Sequence, residues 1–354
     1  MALKEIIIEQ LKSIWSENKA KGLLAQVKFQ QFLVRGELTG LHKKYYSGGW
    51  ILAPKDNAYF KYRYAFFIHG EIIPNINNLC ELEEVMDEAS ANNFKRIAGY
   101  LNKAGIGVMY AIPLGNGIKN IENIEWNIYN YNLEEERLQQ IDSENFFSNW
   151  GNRGRPSRSR GWSRETEGSY LSLDEDILLA LYLNEHFYTE YLKRKLHIPI
   201  SDPYDVDGFF IVHTSGKVIP IEIKEKFPAG ENQNKFFGID AGRVLMLLRL
   251  CLPNDSNALY IIREVDDSPQ RRFVAWKYIS LSDIIMTSGW NLQRGGTGMG
   301  GQETQTIRLP YDEFKALTKE VLKDSYLDKI GDLPKEIKDK VQQFLSDRIS
   351  KFGW

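Results

Sequence analysis

The stretch from Gly208 to Lys224 constrains this chain more than any other. Gly208-Phe209-Phe210-Ile211-Val212 and Val218-Ile219-Pro220-Ile221-Glu222-Ile223-Lys224 are short apolar runs separated by Thr214-Ser215-Gly216. Two such runs joined by a tight glycine turn predict a β-hairpin. Side chains alternate along a strand with period 2, so Ile219, Ile221 and Ile223 face one way and Glu222 and Lys224 the other. The strand is otherwise apolar enough to be buried, and charges there are costly unless they are paired or bound to a metal. Asp207 stands at the mouth of the first run, and an antiparallel return of the chain would bring it beside Glu222. Two carboxylates offer hard oxygen ligands to Mg²⁺, which keeps several waters and bridges to phosphate oxygens. A lysine beside them can orient a metal-bound water and neutralise charge developing on a phosphate.

The surroundings of this hairpin are regular. The patterning predicts a helix from Asp174 to Leu196, the two strands, a helix from Asn234 to Leu250, strands at Ala258 to Val265 and Phe273 to Ile279, and a short helix opened by Ser280 or Ser282. That order, αββαβ, is a mixed-sheet α/β core with helices on its faces. With its acid before one strand and Glu222-x-Lys224 on the next, the segment from Ser169 to Ile285 resembles the PD-(D/E)xK nuclease superfamily, and type II restriction endonucleases within it.

The resemblance implies a restriction-endonuclease-like fold, Mg²⁺ as cofactor, and Asp207, Glu222 and Lys224 as the catalytic set, with Asp207 and Glu222 as metal ligands. It also implies an acid from the preceding helix, where Glu185 stands, and substrate contacts around the following helix, where Gln233, Lys235 and Arg243 stand. Val206, rather than proline, precedes Asp207, while Pro203 lies further back, and this leaves Asp205 as a competing first acid.

At 354 residues the chain is long enough for two lobes. Residues 1–150 read as an α+β amino-terminal lobe suited to recognition, sensing or dimer contacts. Its apolar residues recur at helical spacing from Ile6 to Val34, with a break expected at Gly22. An aromatic, turn-punctuated β texture runs from Tyr45 to Ile73, followed by a helix from Leu82 to Ala104 and a strand from Val108 to Ile112. Residues 151–168 form an Arg/Gly/Ser-rich linker or loop in which Arg153, Arg155, Arg158, Arg160 and Arg164 suit phosphate contacts. Residues 169–310 hold the expected catalytic domain, and 311–354 a charged, mainly helical tail.

The net charge of −2 excludes overall basic character, so any nucleic-acid binding must come from local patches. Cys80 and Cys251 lie far apart with no CxxC spacing, which suits a reducing cytoplasm. Charges interrupt the apolar residues of Met1 to Trp15, so that run reads as an amphipathic helix and neither a leader nor a membrane span. Gly296-Thr297-Gly298-Met299-Gly300-Gly301 matches GxGxxG, but no strand leads into it and no helix pattern follows. The histidines lack zinc-hydrolase spacing.

The expected function is a Mg²⁺-dependent endonuclease on double-stranded DNA, a type II restriction enzyme that dimerises to cut both strands. Two alternatives stand beside it: a defence or CRISPR-accessory nuclease activated by a nucleotide signal, and a nucleic-acid-binding module on a nuclease fold without turnover.

Overall fold

A computed structural model describes residues 3–35, 42–54, 63–74, 79–115, 121, 124–148, 150, 161–198, 200–268, 270–287, 292–294 and 305–341. The chain divides into two compact units, Met1–Gln31 with Tyr46–Gly208 and Phe32–Tyr45 with Phe209–Trp354.

The first unit begins with α1 (Leu3–Ile14), which buries Ile7, Ile8, Leu11 and Ile14, residues that helical periodicity sets on one stripe. The helix α2 (Glu17–Arg35) follows. The break between them falls at Trp15-Ser16 and not at Gly22, because the Ser16 hydroxyl accepts the Lys19 backbone N–H (3.4 Å) and caps the new helix. Gly22 is carried inside α2.

After the short strand β1 (Tyr45–Ser47) come β2 (Trp50–Pro54), β3 (Arg63–Ile68), α3 (Glu88–Lys103), β4 (Ile106–Leu114), β5 (Glu125–Asn132), β6 (Arg137–Gln140), α4 (Ser143–Ser148), α5 (Arg164–Leu171) and α6 (Glu175–Glu185). A π-helical segment, His186–Lys195, continues α6, and β7 (Ile200–Asp205) closes the unit. Six strands form one sheet in the order β6-β5-β4-β3-β2-β7. Its parallel pair, β3 and β4, is linked by the α3 crossover, which the Asp87 carboxylate caps through the Ser90 N–H (3.0 Å). Ile7 and Leu11 of α1, Trp50, Phe66, Tyr182 and Phe187 share its core.

The unit boundary differs from the expected lobes. Antiparallel pairing of β7 with β2, Trp50 opposite Asp205, ties residues up to the hairpin into the first unit, so α6 and β7 do not join the Glu222 strand's unit. Residues 164–171, expected in or beside a linker, are helical, with the Ser163 hydroxyl capping the Thr166 N–H.

The second unit is built on β8 (Gly208–Ile211), β9 (Val218–Lys226), β10 (Phe236–Asp240), α7 (Ala241–Cys251), β11 (Leu259–Val265), β12 (Phe273–Ser280), α8 (Leu281–Thr287), β13 (Leu292–Arg294), β14 (Gln305–Pro310), β15 (Lys315–Ala316) and α9 (Asp324–Ile330). The main sheet runs β8-β9-β11-β12-β15. Here β9 and β11 are parallel, with α7 in the connection between them, and β12 returns antiparallel to β11. A smaller antiparallel sheet has the order β10-β14-β13.

The helix expected from Asn234 starts later. Phe237 and Ile239 alternate into the core and pair with β14, making residues 236–240 a strand, and the Asp240 carboxylate then caps α7 through the Gly242 N–H (2.7 Å). In the tail, the described residues from Tyr311 contain a short helical turn (Tyr311–Glu313), β15, the seven-residue α9 and a further helical run over 335–341, while 342–354 lie outside the described residues. The glycine-rich run 296–301 lies outside the described residues. The fold class is thus mixed α/β, as expected.

Candidate functional site

In the second unit the β9 alternation positions its charges as expected. Ile219, Ile221 and Ile223 are fully buried on one face, while Glu222 is only 3% exposed on the other. The parallel register sets Glu222 beside Tyr260, Lys224 beside Ile262 and Lys226 beside Glu264. Glu222 Oε1 lies 2.8 Å from Lys224 Nζ and 3.5 Å from Arg243 Nε, the latter supplied by α7. Neither contact is directed as a hydrogen bond, so that buried oxygen accepts none among the described residues. It is a carboxylate oxygen held by charge alone.

Lys226 extends the same face. Burial, with the Lys224 charge, holds its ammonium below the ordinary lysine value, while Glu222 and Asp240 pull the other way. One step across the sheet, the buried Glu264 carboxylate accepts the Tyr311 hydroxyl (2.9 Å) and lies 3.6 Å from Lys277 Nζ. On the opposite face Glu225 neutralises Arg263 (2.5 Å) and Arg271 (2.9 Å). Gln233 and Lys235 sit exposed on the approach to β10. Among the described residues, Arg243 is therefore the expected substrate contact that also touches Glu222.

Asp207 and Glu185 belong to the first unit, where both line one cavity of about 450 Å³. Gly48-Gly49 braces its floor: Gly48 N–H donates to the Asp207 carbonyl (3.3 Å), and Val206 N–H donates to the Gly49 carbonyl (3.0 Å). A Cβ on Gly48 would fall 1.5 Å from the Val206 carbonyl oxygen, so the close approach requires glycine. Asp207 is 4% exposed, and Gln26 Nε2 donates to its Oδ1 at 2.5 Å. Glu185, 2% exposed, pairs with Lys19 Nζ at 2.6 Å, and that ammonium also sits 4.7 Å from the Trp50 ring centroid. Asp205 lines the cavity too, so both competing first acids face one space. His69, also on the wall, bonds the Tyr110 hydroxyl through Nδ1 (2.9 Å), and burial holds it below the ordinary histidine value.

Sequence reasoning missed Gln26, Lys19 and the Gly48 brace. The Gly48-Gly49 dipeptide was a visible signal; the other two were not, since their partners lie 181 and 166 residues away. Arg153, Arg155, Arg158 and Arg160 lie outside the described residues, and Arg164 is an exposed residue opening α5.

For a metal, the donor chemistry fits. Mg²⁺ needs only one or two protein carboxylates and keeps its waters, and a buried carboxylate oxygen without a hydrogen bond, as at Glu222, is such a donor. Among the described residues no three His, Cys, Asp or Glu side chains converge to form a ready cage. No described helix is long and apolar enough to cross a membrane.

Compared with family models, curated proteins and solved structures, the chain matches none.

Proposed function

We propose that the chain is a Mg²⁺-dependent endonuclease of double-stranded DNA with a restriction-endonuclease-like core. Glu222 and Lys224 act on β9, Asp207 and Glu222 are metal ligands, and Glu185 is the supporting acid. The reading rests on one observation above others: a carboxylate 3% exposed, with a lysine 2.8 Å away on the same strand face. The parallel pairing of β9 with β11, with α7 in the connection between them, supports the reading.

Bound Mg²⁺ would supply Lewis-acid polarisation of the phosphate and acidify a water. The chain's own groups do the rest. Lys224 donates to the attacking water and to a non-bridging phosphate oxygen, and Arg243 holds Glu222 in place from α7. Water adds to phosphorus, the P–O bond to the leaving oxygen breaks, and that oxygen takes up a proton. A second copy of the chain would cut the second strand, which favours a homodimer.

The test is plasmid cleavage in Mg²⁺ by four variants, alongside metal titration and thermal melting. Glu222→Ala and Asp207→Ala are expected to abolish cleavage and weaken metal binding. Lys224→Ala is expected to lose cleavage and keep most metal affinity, because it removes no oxygen ligand. Asp205→Ala is expected to stay active. Cleavage surviving in a folded Glu222→Ala, free of contaminating nuclease, sinks the proposal, and activity lost in Asp205→Ala but kept in Asp207→Ala moves the first acid to Asp205.

A further inference from the structure

A second cavity of the first unit, about 670 Å³, is lined by Tyr182, by five residues of the π-helical segment (His186, Glu190, Tyr191, Arg194 and Lys195) and by Gln10, Ile124 and the exposed Glu125. The winding of that segment is what gathers them. At about 3.6 residues per turn the five would spread over roughly half the helix circumference. With the wider i→i+5 winding, about 4.4 residues per turn, they fall within an arc of roughly 115°. Continuous π-helix of this length is rare, and π-windings are frequent at functional sites.

The polar groups on this arc are complementary in kind. Glu190 Oε2 accepts Arg194 Nη1 at 2.9 Å, while Glu190 Oε1 is buried and accepts no hydrogen bond among the described residues. A buried acceptor left in that state is costly unless a ligand supplies the donor. His186 Nδ1 accepts the Trp126 indole N–H (3.3 Å), so its neutral ring carries the proton on Nε2 and is a donor. Arg194 spends one N–H on Glu190 and, as a guanidinium, has further donors for an anion. Lys195 Nζ adds a second cation, 5.8 Å from the Tyr191 ring centroid.

One acceptor awaiting an N–H, two cations and a tyrosine ring on a single face call for a ligand with a planar N–H edge and an anionic group. We propose that this cavity binds a nucleoside monophosphate. The base edge donates to Glu190 Oε1 against the Tyr191 ring, and the phosphate accepts from Arg194 and Lys195, with His186 donating to the sugar–phosphate. This does not depend on the role assigned to Glu222.

The experiment is calorimetric titration of the full chain with the four common nucleoside 5′-monophosphates, the parent nucleosides and inorganic phosphate. At least one monophosphate is expected to bind with Kd below about 1 mM and at least about tenfold more tightly than its nucleoside or phosphate alone. Glu190→Gln and Arg194→Ala, checked by melting to be folded, are each expected to weaken it about tenfold or more. Arg194→Lys, which keeps the charge, is expected to recover part of the loss. No binding by any monophosphate, affinity equal to that of phosphate alone, or affinity unchanged in both variants overturns the assignment.

Discussion

At Gly48 a single absent methyl group decides whether Asp207 can be held where it is. The Val206 carbonyl occupies the space a Cβ would need, and the facing strands cannot separate without losing the Gly48 to Asp207 and Val206 to Gly49 hydrogen bonds. Gly48→Ala is expected to destabilise the protein by about 3 kcal/mol, the range of a severe overpacking defect. Gly22 is the opposite case. It lies inside α2 with nothing within 4 Å of its Cβ position, so Gly22→Ala is expected to stabilise by about 1 kcal/mol through helix propensity. Urea unfolding of both variants checks the pair, and a Gly48→Ala protein as stable as the parent refutes the account of the brace. The residue scale also shows what sequence can carry. Glu222 and Lys224 were legible because strand alternation is a local rule, and the buried isoleucines between them fix the face. Gln26 on Asp207 and Lys19 on Glu185 were not, because only the tertiary fold brings such distant residues together.

Among the elements, the segment His186–Lys195 departs furthest from what its pattern suggested. A continuous helix from Asp174 to Leu196 was legible, but its change of winding at His186 was not, since apolar spacing does not distinguish an occasional i→i+5 turn from i→i+4. The same limit explains β10: Phe236 to Asp240 alternates, yet the run is short and leads straight into a helix, so the strand is decided by pairing with β14. The winding has a measurable electrostatic consequence. Burial, with Lys195 nearby, pushes His186 down to about 4 from an ordinary 6.5. The unfolded chain therefore binds a proton near pH 6.5 that the folded chain refuses until about pH 4. Stability contributed by the neutral ring is complete above about pH 6.5 and falls as pH drops toward 4, by at most about 3 kcal/mol. His69, also lowered by burial, acts in the same direction. Glu17, held at about 2 chiefly by the Ser163 hydrogen bond, loses its contribution only from about pH 4.5 downward. Melting temperatures of the parent and His186→Gln between pH 7.5 and 4, values chosen to span roughly that window, are expected to converge as pH falls. Parallel curves would show that His186 does not titrate in that way.

For the whole molecule, the two-unit division was only partly legible. Length and texture pointed to two lobes, but the boundary at Gly208 depends on β7 joining the β2 edge, a long-range pairing that no local signal announces. The overall charge of −2 gives no general attraction to a polyanion, so any affinity for DNA would have to come from a local concentration of cations. The stretch from Arg153 to Arg164 holds five arginines uninterrupted by an acid. Arg164 opens α5, where a helix dipole favours acids, and Glu165 and Glu167 in that first turn already supply them. Its charge therefore does nothing for the helix, which is the expectation for a residue kept for an external anion. Each phosphate that an arginine neutralises releases counterions and steepens the dependence of log K on log [salt] by about 0.9. Replacing all five arginines with glutamine, in a Lys224→Ala background so that DNA survives the measurement, is expected to weaken binding at low salt. The slope is expected to become less negative by up to about 4.5 if every arginine makes one contact. Melting curves of the variant and its parent, recorded alongside, separate lost contacts from lost folding. An unchanged slope would assign this run to a linker and move the phosphate contacts elsewhere, first to the exposed Lys235 and to Arg243 beside Glu222.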